Sequence, residues 1–207
     1  RLWAHGHHPA AQALAHHAGF ARTRVLWQMR RSLLAPVPAP RWPAGVTVRT
    51  FDVGQDEPAW IACNARAFAR HPEQGGWTIQ DLLLREAEPW FDPAGFFLAE
   101  RDGRLAGFHW TKIHGAEARH GPAGHEHPAI GEVYVVGVDP SAQGTGLGAA
   151  LTLRGLQHLR AEGLTQVLLY VDEDNPRAVA LYERLGFTKW DSDITYMSGA
   201  VPPMHGR

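Results

Sequence analysis

Two stretches of the 207-residue chain carry residue types whose spacing could do chemistry. In Gln143-Gly144-Thr145-Gly146-Leu147-Gly148, three glycines stand at every other position. They follow the run Val133-Tyr134-Val135-Val136-Gly137-Val138, which Asp139-Pro140 ends, and they precede the helical apolar pattern Leu147, Leu151, Leu153, Leu156, Leu159. The order reads as strand, tight glycine turn and helix. Glycine lets a ligand approach the main chain, and the first N–H groups of a helix have no internal partners. An anion held there gains roughly 0.3–1 kcal/mol per favourable charge where exposed. The same residues also read as a plain turn. Their spacing is neither the G-x-G-x-x-G of dinucleotide-binding folds nor a P-loop, which needs a following Gly-Lys-Ser/Thr. Glu132 opens the strand, where a carboxylate either accepts a proton, directly or through one water, or is simply a solvated strand end.

The elements that must position these residues follow from periodicity. Val46 to Phe51 alternates as a strand, and Glu57 to Ala69 reads as a helix with Trp60, Ile61, Ala65 and Phe68 on one side. His71 to Trp77 reads as a loop, followed by a helix with Thr78 as N-cap and Asp81 three residues on. Gly95 to Ile113 makes a hairpin turning at Asp102-Gly103. Gln166 to Val171 is an apolar strand, and Asn175-Pro176 caps and opens the next helix. The order predicts an α/β fold whose central strand feeds the glycine loop.

Pro9 to Phe20 aligns without gaps, at an offset of 167, with Pro176 to Phe187, sharing Pro, Ala, Ala, Leu, Gly and Phe. Chance similarity of two Ala-rich helices is one account; two tandem copies of one fold is the simpler one. The second account divides the chain into a remnant of a first domain (1–34), a proline-rich linker (35–44), a catalytic domain (45–200) and a tail (201–207).

Composition narrows the class. With 44% hydrophobic residues the chain can bury one good core, and a net charge of −1 points to neither nucleic acid nor membrane as partner. No apolar run approaches the ~20 residues of a membrane span, and no signal peptide opens the chain. Cys63, the one cysteine, excludes an internal disulfide, suits a reducing cytoplasm and is expected to pack in its helix. Lys112 and Lys189 are the only lysines, so each stands out among the arginines.

Gln143, Gly146 and Gly148 occupy the three fixed places of the Q/R-x-x-G-x-G/A signature, and in this the chain resembles the GNAT superfamily of acyl-CoA-dependent N-acyltransferases. The resemblance implies an α/β GNAT fold, a mixed central sheet flanked by helices, with acetyl-CoA as acetyl donor. It implies cofactor contacts at Val136, Gly137 and Val138 beside the pantetheine arm, and at Gln143, Gly144, Thr145, Gly146, Leu147, Gly148 and Ala149 around the pyrophosphate. Asn175, Pro176, Arg177, Ala178, Val179 and Ala180 would line the other side.

Blocks at Pro72–Trp77, Glu88–Pro93, Gly107–Lys112, Gly131–Pro140 and Leu169–Asn175 narrow the resemblance to the mycothiol synthase family of actinobacterial tandem-GNAT enzymes. These acetylate the cysteinyl amine of cysteinyl-glucosaminyl-inositol. By that resemblance Glu73, Lys112, Glu132 and Tyr170 contact the small-molecule substrate, Glu132 assists deprotonation of the amine, and Tyr182 protonates the leaving thiolate. A sugar-inositol offers hydroxyls that carboxylates accept from and a lysine donates to; without the resemblance, Glu73 and Lys112 read equally as solvated residues. Tyr182 aligns with Ala15 in the first copy, so either only the second copy is catalytic or Tyr182 is a packing residue. Other readings are a GNAT enzyme for another small amine and a non-catalytic acyl-CoA-binding module. A monomer is expected, without a metal: His120, His125 and His127, in the histidine-rich loop 114–127, read as surface residues.

Overall fold

The structure, a computed structural model, describes residues 1–6, 8–115 and 128–198, without the side chains of Pro72 and Glu73. Asp102 and Gly103 both take positive φ, 54° and 71°, as a type I′ turn requires, and so join β4 (Phe96–Arg101) to β5 (Arg104–His114). β3 (Val46–Thr50) pairs antiparallel with β4, and β6 (Ile130–Val138) antiparallel with β5. These four strands, in the order β6-β5-β4-β3, are the frame of a unit spanning residues 31–168.

Alternation along the strands sends side chains to two faces. On one, Phe96, Leu98, Phe108, Trp110 and Val135 pack with Trp60 and Cys63 of α2 (Glu57–Ala67) and Leu82 of α4 (Ile79–Glu86). On the other, Phe97 and Ala99 pack with Leu147 and Leu151 of α5 (Leu147–Ala161). Cys63 lies in α2 as expected, and burial pushes its thiol up to about 11, so it packs as a small apolar group. Thr78 and Asp81 form the expected capping box of α4. Residues 71–77 differ from the expected loop: Pro72–Gly75 form a short helix, α3, in which the His71 ring accepts from the Gln74 amide at 3.2 Å. Proline at the first turn costs that helix no hydrogen bond. The proline-rich segment is also tied down, since the Leu33 amide donates to the Thr165 carbonyl at 2.8 Å and Leu33 and Val37 are buried.

Among the described residues, the second unit contains those within 1–30 and 169–198. Its strands β1 (Leu2–His5), β2 (Phe20–Ser32), β7 (Gln166–Asp172) and β8 (Thr188–Ser198) run in the order β1-β8-β2-β7. The offset of 167 carries α1 (Pro9–His17) onto α6 (Pro176–Arg184), and β1 onto Leu169–Asp172 of β7. It also carries the pair Ala21↔Met197 onto Thr188↔Arg30, and Arg22↔Tyr196 onto Lys189↔Met29. The two segments are therefore related by an approximate two-fold axis between β2 and β8, and each sends its last strand in beside the other's. The ladder is reinforced by side chains: Arg24 pairs with Asp172, while Arg22 and the Trp27 indole both donate to Glu173.

No helix among the described residues is long and apolar enough to cross a membrane. Helix α5 lies close to β5 because Gly155 faces the fully buried His109. A Cβ on Gly155 would stand 2.0 Å from the His109 ring, which is fixed by a 2.7 Å bond to the Leu151 carbonyl. Gly155→Ala is expected to lower the stability by about 1–3 kcal/mol through overpacking. The urea midpoint reads this; an unchanged midpoint would mean that the ring yields freely.

Candidate active site

Strand β6 carries a distinct group of residues at each end. At its C-terminal end Asp139 is buried, accepts from the Ser141 amide at 3.0 Å and the Ser141 hydroxyl at 2.7 Å, and pairs with Arg66 of α2 at 2.5 Å. Burial alone would raise its carboxyl, but the hydrogen bonds from Arg66 and Ser141 outweigh burial and hold it below the usual carboxylate range. This anchor fixes the 3₁₀ turn Pro140–Ala142 from which the glycine loop departs. Gly144 and Gly146 take φ of 78° and 90°, and a Cβ on either would meet nothing within 4 Å. The loop main chain thus borders open space. Gly146 is the N-cap of α5 and offers no side-chain cap, so the amides of the first turn are not closed off from that side. Gln143 is exposed and donates to the Val138 carbonyl at 3.2 Å, while Thr145 donates to the Ala142 carbonyl at 2.7 Å. Leu147 is buried, and Gly148 and Ala149 are half-buried on the first turn. The resulting surface of main-chain donors and helix dipole suits a phosphate-bearing ligand. Val136, Gly137 and Val138 pair with His109, Phe108 and Gly107 of β5.

At the other end of the strand, Glu132 is 7% exposed and lies opposite Lys112 in the β5/β6 register. His114, two residues along from Lys112 and so on the same face, brings its Nε2 to 2.6 Å from Glu132 Oε2. The Lys112 ammonium lies 4.2 Å from the centre of the Trp90 ring and 5.6 Å from that of Tyr134, and those rings meet edge to face at 5.2 Å. Burial pushes the Tyr134 phenol up. A buried carboxylate, a cation on aromatic faces and an imidazole make a polar cluster able to accept protons and bind polar groups.

The remaining expected residues belong to the unit of residues 1–30 and 169–198. Asn175 caps α6, its Oδ1 accepting from the Ala178 amide at 3.2 Å; Pro176 and Arg177 are exposed, Ala178 and Ala180 half-buried, and Val179 buried. Tyr182 is half-buried edge-on to Phe187, with ring centres 5.8 Å apart, and burial pushes its phenol up to about 12. Tyr170 is exposed, and its hydroxyl accepts from Gln28 of β2 at 2.9 Å. Glu73 lies on α3, with its side chain outside what the structure describes. His120, His125 and His127 also fall outside the described residues, among which no cluster of three or more His, Cys, Asp or Glu could hold a metal. The structure thus pairs Lys112 with Glu132 and adds His114, Tyr134 and Trp90, which sequence reasoning did not single out. The two-residue spacing of Lys112 and His114 was a visible signal, but their register against Glu132 was not.

A model of the acetyltransferase (GNAT) family matches residues 62–187. The chain is 64% identical over 197 residues to the mycothiol acetyltransferase of Thermobispora bispora, covering 95% of this chain and 64% of that protein. It is 59% identical over 204 residues to the mycothiol acetyltransferase of Acidothermus cellulolyticus, covering 97% and 62%. It therefore spans less than two thirds of the length of these curated relatives. Among solved structures, a GCN5-related N-acetyltransferase from Sphaerobacter thermophilus superimposes with a TM-score of 0.73 at 29% identity, over 94% of this chain and 57% of that one.

The Asp139 anchor makes a pH prediction. A carboxyl lowered on folding contributes stability in full above its unfolded value of about 3.9, and loses it as pH falls through the lower folded value. Arg66→Ala is expected to lower the melting temperature slightly at neutral pH, since Arg66 is 50% exposed and its pair is screened by solvent. Melting curves of variant and wild type should converge as pH falls below about 3.9; a constant gap down to acid pH would assign the loss to something other than this pair.

Proposed function

The chain belongs to the acetyltransferase (GNAT) family, and from that premise we propose that it works as an acetyl-CoA-dependent N-acetyltransferase. Its acceptor is the cysteinyl amine of cysteinyl-glucosaminyl-inositol, and the reaction is the last step of mycothiol biosynthesis. The observation that carries the reading is β6 itself, which has a buried carboxylate with polar and aromatic partners at one end and an uncapped glycine-rich helix start at the other. Identity of 64% and 59% to proteins named mycothiol acetyltransferase supports the choice of acceptor.

Acetyl-CoA, when bound, supplies an acyl group activated as a thioester. The loop from Gln143 to Ala149 would hold its pyrophosphate through main-chain amides, and by the family resemblance Val136 to Val138 and Asn175 to Ala180 would contact the rest of the molecule. Glu132 takes a proton from the acceptor ammonium, leaving a neutral amine nucleophile. As the amine nitrogen bonds to the acetyl carbon and the C–S bond breaks, Tyr182 would give its phenolic proton to the leaving thiolate and regain one from the proton that the new amide nitrogen sheds; burial pushes that phenol up to about 12, so it is protonated across the physiological range. Glu73, Lys112 and Tyr170 bind the hydroxyls of the sugar-inositol. Residues 1–34 are the last helix and strands of a preceding GNAT-like copy, a reading supported by the two-fold register of β2 with β8. Ala15, the counterpart of Tyr182, is 2% exposed and carries no proton donor, so catalysis belongs to the second copy. The lone buried thiol suits a cytoplasmic location.

The test is thiol release from acetyl-CoA with and without cysteinyl-glucosaminyl-inositol. Release that requires this acceptor is expected, and faster release with another small amine would sink the assignment. Tyr182→Phe should bind acetyl-CoA as the wild type does and lose about 100-fold in kcat. Because burial pushes the Tyr182 phenol up to about 12, its ionisation should cause no loss of kcat up to about pH 10.

A further inference from the structure

We propose that His114 is a positioning residue for Glu132, a role that rests on the reading of Glu132 as proton acceptor. Glu132 is nearly enclosed at 7% exposed, so its carboxylate needs a hydrogen-bond partner within the protein. Two cationic or donor side chains on β5 share its face, and they are engaged differently. Lys112, directly opposite, lies over the rings of Trp90 and Tyr134. His114, one step further along the strand, makes the 2.6 Å bond to Oε2. An ionised carboxylate only accepts, so this bond requires the imidazole proton on Nε2. The bond to Oε2 favours one orientation of the carboxylate, in which Oε1 is left to receive the proton from the acceptor ammonium. The His114 side chain is 41% exposed, against 10% for that of Glu132, so it reaches the buried carboxylate from the solvent side of the strand. No bond to the acetyl donor or the amine is made by His114; its effect passes through Glu132.

The test compares His114→Gln, His114→Asn and His114→Ala in the full chain, each alone and with Glu132→Gln. The glutamine amide falls where Nε2 lies, whereas the asparagine amide falls short of it. Asparagine and alanine should lower kcat by about 10- to 100-fold with KM for acetyl-CoA unchanged, as a misplaced catalytic group does. Glutamine should restore kcat to within about 3-fold of wild type. In the Glu132→Gln background none of the three should cause a further loss. Wild-type kcat in His114→Ala, or glutamine as slow as alanine, would overturn the positioning role. Wild-type kcat in Glu132→Gln alone would instead sink the reading of Glu132 as proton acceptor. A readout independent of turnover is the ¹⁵N spectrum of the imidazoles: His114 should be the Nε2–H tautomer with a downfield proton that Glu132→Gln abolishes. An Nδ1–H tautomer would refute the proposal even in an inactive preparation.

Discussion

The burial of Trp110 is the interaction on which the Glu132 end of strand β6 depends. Its indole is fully buried and lies within ring-contact distance of Trp60, Trp77, Trp90, Phe91, Phe96 and Tyr134, stacking on Phe96 at 4.5 Å. Aromatic side chains bury large areas and gain further from edge-to-face and offset-stacked contacts. Two of these rings, Trp90 and Tyr134, are the ones beneath the Lys112 ammonium. The core therefore fixes the rings, the rings fix Lys112, and β5 carries His114 on to Glu132. A bulge between Trp110 and Thr111 sets this register, since Trp110 faces Val135 while Thr111 faces Val133. Without that extra residue the polar face would slip by one position, and a one-residue slip turns each side chain to the opposite face.

A second constraint governs the residues on either side of this unit. An edge strand with free N–H and C=O groups invites pairing, and chains cover such edges. Here β2 runs beside β8 over the full length of β8, from Phe20↔Ser198 to Arg30↔Thr188. Its side chains then reach Tyr170, Asp172 and Glu173 in β7 and just beyond it. The first thirty residues are thus part of the architecture that holds Tyr170. The Tyr170 hydroxyl takes its hydrogen bond from Gln28, which itself accepts from Arg30 at 2.9 Å.

What was legible in the sequence was what local chemistry decides. The Thr78–Asp81 capping box, the Asn175 cap with Pro176 behind it, the Asp102-Gly103 turn and the glycine loop each depend on residues within a few positions of one another, and each is found. The family, too, was written in short motifs, Gln143-x-x-Gly146-x-Gly148 above all. Pairings across long separations were not legible. The repeat at an offset of 167 identified two related segments, but not that each sends its last strand beside the other's, because nothing in a single strand states which edge it will meet. The partnership of His114 with Glu132 was hidden for the same reason: the two residues are 18 positions apart, and nothing in either strand states its register against the other. Helix α3 was missed because its four residues are too few to show a period.

Strand β6 explains why the two ends of the site belong together. A continuous strand has a fixed rise of about 3.3 Å per residue, so the span between Glu132 and the loop after Val138 is set by residue count rather than by flexible connections. For that span to stay fixed the strand must be locked in register on both faces. Gly137 allows this: a Cβ there would come within 2.5 Å of Phe108, so only glycine lets β6 lie close to the aromatic core. At the loop end Asp139 then takes both Ser141 and Arg66, tying the strand to the glycine turn and to α2 at one carboxylate. The glycine turn and the buried Glu132 carboxylate are therefore carried at two ends of one strand, and the aromatic core packed against that strand holds the spacing between them.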